Sequence, residues 1–78
     1  MEELDLIVDL GNSYLKFCFG NQGVLGEKYS VPNHEALITL EKELEKVKLC
    51  SIILSSTASE EETKSVLGFL ESKGNVHY

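Results

Sequence analysis

Asp9-Leu10-Gly11-Asn12-Ser13-Tyr14-Leu15-Lys16 lies between two apolar runs, and the reading of this stretch decides the fold. Before it, Leu4, Leu6 and Val8 alternate with Asp5 and Ile7, the period of two of a β-strand. After it, Leu15, Phe17 and Phe19 alternate with Tyr14, Lys16 and Cys18. Gly-Asn-Ser between two such runs is turn chemistry. Glycine accepts positive φ, Asn tolerates the left-handed region, and Ser bonds to nearby backbone. The stretch therefore predicts a β-hairpin with a carboxylate entering the turn and an ammonium leaving it.

Most turns of this composition only reverse the chain. Two placements argue for more. Asp9 ends an otherwise apolar strand with no basic neighbour in that strand, and Lys16 interrupts the hydrophobic part of the next one. Neither placement helps folding, and each would help hold a metal-bound nucleotide. A tight turn also presents several backbone N–H groups to the space above it, a concavity suited to an anion and above all to phosphate.

The rest of the chain extends the hairpin. Gly20-Asn21-Gln22-Gly23 reads as a second turn, and a third strand follows over about Val24 to Val31, interrupted by Gly26. Three strands on short turns make an antiparallel meander. Pro32 ends it, and Asn33 is placed to cap a helix whose inward stripe is Leu37, Leu40, Leu44 and Val47. The charges over residues 41–46 are the solvated face of that helix. From Leu49 to Ser55 the run is almost continuously apolar, the pattern of a strand covered on both faces. Ser59-Glu60-Glu61-Glu62 is a capping box with acidic residues at the positive end of a second helix. Val66, Leu67 and Leu70 give that helix its inward side, Gly74 its stop, and residues 75–78 read as a fifth strand.

The predicted fold class is α/β, with element order β-β-β-α-β-α-β. Right-handed crossovers place strand four beside strand one and strand five beyond it, a mixed sheet of order 3-2-1-4-5 with both helices on one face. Leu4, Leu6, Val8, Leu15, Phe17 and Phe19 make the covered face. Asp5, Ile7, Tyr14, Lys16, Cys18, Ser51 and Ile53 fall on the other, which nothing remains to cover.

Composition bounds what such a chain can do. Seventy-eight residues make one small domain at most. At 42% hydrophobic and 26% charged, the chain is globular in composition. A net charge of -6 argues against a nucleic-acid surface, and the sequence holds no Arg for a bidentate clamp. Neither a signal peptide nor a membrane span is visible. Cys18 and Cys50 lie in predicted strands without CxxC spacing, so they read as buried thiols in a reducing cytoplasm rather than as a disulfide or metal ligands. Asp5 reads as a solvated residue near a strand start, and His34 and His77 as surface residues.

Asp-x-Gly-Asn-Ser-x-x-Lys over Asp9–Lys16 resembles the first phosphate motif of the sugar kinase, Hsp70 and actin superfamily. The form with Asn-Ser and a following Lys-Phe looks most like the type III pantothenate kinases. Ile52-Ile53-Leu54-Ser55-Ser56 extends the resemblance, since that family carries an apolar strand ending in paired serines there; the family continues with Val and Pro, whereas this chain has Thr57-Ala58. Plasmid-segregating actins share parts of the Asp-Gly turn but fit the Asn-Ser pair and the paired serines less well.

The resemblance implies a ribonuclease H-like half-domain, with residues 1–78 corresponding to the N-terminal part of a longer actin-like ATPase fold. It implies that Gly11, Asn12, Ser13 and Lys16 bind the ATP phosphates and that Asp9 holds Mg2+ through water. Ser55 and Ser56, at the end of a parallel strand, are cleft-lining candidates, and they could equally lead into the helix cap. ATP and Mg2+ are the implied cofactors, with a monovalent cation as a further candidate. The implied partners are ATP and pantothenate, with a homo-oligomer but no nucleic acid and no membrane. The intact enzyme would phosphorylate pantothenate at the start of coenzyme A synthesis. The general base, the second phosphate loop and the adenine pocket belong to the later half of such enzymes, so no catalytic residue is expected among these 78 residues and the chain alone is expected to be inactive. The alternative is a non-catalytic half-domain that self-associates or binds a partner through its uncovered sheet face.

Overall fold

The computed structural model describes residues 3–78. Among them the alternating stretches form strands β1 (Glu3–Leu10) and β2 (Tyr14–Asn21), paired antiparallel with Leu10 opposite Leu15 and Asp9 opposite Lys16. The segment predicted as one third strand is two short pieces, β3 (Val24–Leu25) and β4 (Tyr29–Pro32), both paired with β2. Gly26 marks the break: its amide bonds to the Phe19 carbonyl at 2.7 Å, and the chain leaves the ladder until Tyr29. A 3₁₀ turn (Asn33–Glu35), α1 (Ala36–Leu44), β5 (Lys48–Ser56), α2 (Glu60–Glu71) and β6 (Val76–His77) follow.

The sheet is mixed, with six strands in the path β3-β2-β1-β5-β6 and β4 alongside β2. With β3 and β4 counted as one interrupted strand, this is the predicted order. β5 runs parallel to β1, and β6 parallel to β5. Leu6, Val8 and Leu10 of β1 are fully buried beside Leu15 and Phe17 of β2 and Ile52 and Leu54 of β5, while Leu4, ahead of the bulge in the β1–β5 pairing, is half-buried. Leu40 and Leu44 of α1 and Val66 and Leu70 of α2 join the same core, so both helices cover one face. Burial of this kind contributes roughly 1.5–3 kcal/mol per large aliphatic side chain.

Four local readings are corrected. The left-handed residues are Gln22 (φ 52) and Gly23 (φ 82) in the second turn, the pattern of a type I′ hairpin, and not Gly11 or Asn12. Cys50 is exposed, because a bulge between Leu4/Leu49 and Asp5/Ser51 leaves it unpaired and turns it away from the core face that Leu49 and Ile52 share. On α1 the buried stripe is Ala36, Leu40 and Leu44, an i, i+4 row, while Leu37 stays 37% exposed. Finally, α2 ends at Glu71 with Ser72 as its C-cap, ahead of Gly74. Gly74 shows no positive φ, and its amide bonds to the Leu70 carbonyl at 3.2 Å. No helix among the described residues is long and apolar enough to cross a membrane.

Candidate functional site

The β1–β2 turn is tight because its first residue has no side chain. The Gly11 amide donates to the Tyr14 carbonyl at 2.9 Å, and a Cβ at Gly11 would lie 3.1 Å from that same oxygen. Glycine is needed here for close backbone approach rather than for a left-handed conformation.

Asn33 ties the turn from behind. The sequence places it as a helix cap, but its side chain caps nothing. Its Nδ2, with two N–H bonds shared among three acceptors, lies within hydrogen-bond distance of the carbonyls of Gly11 (2.9 Å) and Asn12 (3.1 Å) and of Oε2 of Glu62 (2.8 Å). Its backbone amide donates to the Ser13 carbonyl at 2.9 Å. Three successive turn carbonyls thus converge on one residue. Glu62 is drawn to Asn33, so the capping box of α2 is half made: the Ser59 hydroxyl accepts from the Glu62 amide at 3.1 Å, while the Glu62 carboxylate faces Asn33.

On the other side of the turn lies an open cleft of about 310 Å³ lined by Asp9, Gly11, Asn12, Ser13, Tyr14, Lys16 and Thr57. All five residues of the Asp-x-Gly-Asn-Ser-x-x-Lys motif singled out as ligands are on its walls. Among the described residues, the amides of Asn12 and Ser13 donate to no protein acceptor. Asp9 and Lys16 face each other across the strand pair, yet they form no ion pair with one another. One oxygen of Asp9 accepts from the Ser55 hydroxyl at 3.3 Å, and the other has no hydrogen-bond partner among the described residues.

The sequence leaves the paired serines two places, the cleft wall and the helix entry, and Ser56 takes the second. Neither lines this cleft. Ser55 lies beside Asp9, its partner in the parallel β1–β5 pairing. Ser56 turns to the helix entry, where its hydroxyl shares a 2.7 Å hydrogen bond with Thr63 and accepts from the Ala58 amide at 3.1 Å. Thr57 stands on the cleft wall instead, held there by its amide bonding to the Leu10 carbonyl at 2.9 Å. Nothing in its sequence neighbourhood marks Thr57, because its place depends on the β1–β5 register. Asp5 is half-buried and accepts from the Ser51 hydroxyl at 2.7 Å, so it is a partnered sheet residue rather than a solvated one. His34 and His77 are exposed.

Chemically, the cleft offers one ammonium, two unbonded amides, small hydroxyls and one carboxylate with a free oxygen. Such a set matches a phosphate that brings its own cation. A single exposed carboxylate suits Mg2+, which keeps most of its waters and is carried by substrate phosphates, better than it suits a cation needing a protein cage. Among the described residues no group of three or more His, Cys, Asp or Glu comes together as a metal centre. No family model matches the chain, and no curated protein matches it.

Proposed function

We propose that this chain is the phosphate-binding segment of a cytoplasmic ATP-dependent small-molecule kinase resembling type III pantothenate kinase, one that converts ATP and pantothenate to 4'-phosphopantothenate for coenzyme A synthesis. The observation that carries the reading is the gathering of Asp9, Gly11, Asn12, Ser13 and Lys16 around one cleft in which the Asn12 and Ser13 amides have no partner among the described residues. In this reading the amides and the Ser13 hydroxyl hold phosphate oxygens, and Lys16 sets a positive charge beside them. Phosphoryl transfer is carried mainly by positioning and by charge stabilisation, which a pre-shaped hairpin can supply. Asp9 would hold Mg2+ through its free oxygen and through water, where the ion would neutralise phosphate charge. The general base and the adenine pocket are not among these residues, so the 78-residue chain alone is inactive in this reading. Titration of the 15N-labelled chain with Mg-ATP tests it. The amide resonances of residues 9–16 are expected to move along one saturation curve, and resonances that stay still would sink the reading.

A second reading rests on the sheet face that the helices leave open. Tyr14 is 54% and Ile53 45% exposed, and apolar surface of this kind tends to be covered by another chain. In that reading the domain is a non-catalytic module that pairs with a second copy. Sedimentation at rising concentration separates the two, since a strictly monomeric chain up to millimolar concentration argues against the module.

A further inference from the structure

We propose that Asn33 is the positioning residue of the anion-binding turn, the group that aims the amides of Asn12 and Ser13 into the cleft. This deepens the phosphate reading above and rests on it. No peptide bond in the described chain is cis, and in a trans peptide the C=O and N–H bonds point in opposite directions. The Gly11 carbonyl points at Asn33 Nδ2, 2.9 Å away, so the Asn12 N–H in the same peptide points away from Asn33. The Asn12 carbonyl also points at Nδ2, at 3.1 Å, so the Ser13 N–H points away as well. Neither Asn33 nor Glu62 lines the cleft, while Asn12 and Ser13 do. Holding the two carbonyls behind the turn therefore turns two consecutive donors to its front, where a phosphate oxygen can take both.

The side chain can sit only one way round. Its Nδ2 faces two carbonyls and the Glu62 carboxylate, three acceptors and no donor. Flipping the amide would set Oδ1 against all three. The cost of the chosen orientation is visible, since the buried Oδ1 has no hydrogen-bond partner among the described residues. Glu62, at the start of α2, adds negative charge behind the turn and orients the amide, so the front and back of the hairpin are joined through one side chain. An anion accepting from the Asn12 N–H polarises the Gly11–Asn12 peptide and strengthens the bond that Nδ2 donates to Gly11 O. The Asn33 side chain should therefore register anion binding without touching the anion.

NMR titration of the 78-residue chain with inorganic phosphate tests this. In the native chain the amides of Asn12 and Ser13 and the Asn33 side-chain NH2 are expected to move on one curve with a common midpoint. In Asn33→Ala, which keeps the backbone bond to Ser13, the Asn12 and Ser13 shifts are expected to vanish or to need at least about tenfold more phosphate. Native amides that move while Asn33→Ala binds with the same midpoint would overturn the inference and leave the phosphate reading standing. Native amides that do not respond would remove the phosphate reading and the inference with it. If Asn33→Ala does not fold, the native titration decides alone, because an Asn33 NH2 that ignores phosphate while Asn12 and Ser13 respond overturns the inference.

Discussion

The side-chain nitrogen of Asn33 lies 2.9 Å from the carbonyl oxygen of Gly11, twenty-two residues earlier in the chain, and it is a polar tie between the first hairpin and the helical layer. Its loss in Asn33→Ala leaves the Gly11 and Asn12 carbonyls and the Glu62 carboxylate to water. All three lie at or near the surface, so rehydration offsets part of the loss. The expected destabilisation is about 1–2 kcal/mol, the net value of one or two such hydrogen bonds. Urea unfolding should show a lower midpoint at an unchanged slope.

Gly11→Ala tests the same turn from inside. The added Cβ would lie 3.1 Å from the Tyr14 carbonyl, a backbone atom that already accepts the Gly11 amide and cannot swing aside as a side chain could. A loss of about 1 kcal/mol is expected from the strain. Gly23→Ala should cost a similar amount for a different reason. Space around Gly23 is open, but its φ of 82 places it in the left-handed region. In Gly11→Ala the Asn12 and Ser13 amide resonances should shift, and in Gly23→Ala they should not.

What the sequence made legible follows from the range of the interactions involved. The alternation in Leu4–Val8 and Leu15–Phe19 is a local signal, and it located β1, β2, the hairpin between them and the face they bury. The gathering of Asp9 and Lys16 was readable for the same reason, since a hairpin fixes the register of both strands. The exposure of Cys50 has no local signal, because a bulge is a property of the β1–β5 pair and no residue beside it marks the extra step. Asn33 carries the local signal of a cap, as an Asn before a helix ordinarily does; its actual partners at Gly11, Asn12 and Glu62 are set by how β4 meets the turn and where α2 begins. Thr57 reached the cleft through a long-range bond to Leu10 that no local pattern announces.

The two cysteines should separate by reactivity. Cys18 is buried at 6% exposure in the middle of β2, and Cys50 is exposed at the bulge. Access limits thiol modification when protection is steric. An aromatic disulfide reagent is expected to titrate one thiol per native chain rapidly and the second only in denaturant. Mass mapping should place the first adduct on Cys50. A fast adduct on Cys18 would contradict the packing of β2 described above.

Thr63 is a buried polar residue on α2, with a hydroxyl that joins Ser56 Oγ at 2.7 Å and the Ser59 carbonyl at 2.8 Å. It links the end of β5 to the first turn of α2, next to the Ser59 cap. Thr63→Val keeps the shape and removes the hydroxyl, leaving Ser56 with one partner fewer in a half-buried site. The expected cost is about 1–2 kcal/mol, measured by thermal or urea unfolding. Thr63→Ser keeps the hydroxyl and should recover most of the hydrogen-bond contribution, losing only the packing of one methyl group, about 1 kcal/mol at most.

Lys16 separates binding from stability. It is exposed and stands opposite Asp9 without pairing to it, so its charge contributes little to the fold. Surface substitutions of this kind stay within about 0.5 kcal/mol. Lys16→Ala is therefore expected to leave the unfolding midpoint where it was. Its effect on phosphate should be larger, because a charge-assisted contact to an anion is worth about 1.5–3 kcal/mol. Calorimetry or NMR titration with Mg-ATP should show affinity at least about tenfold weaker. High salt should narrow that gap, since an exposed charge is screened over roughly 10 Å at 0.1 M. Lys16→Arg retains the charge but presents it on a planar fork, so partial recovery is expected. Full Mg-ATP affinity in Lys16→Ala would mean that the turn binds anions through its amides alone, and that the ammonium at the head of β2 serves some other purpose.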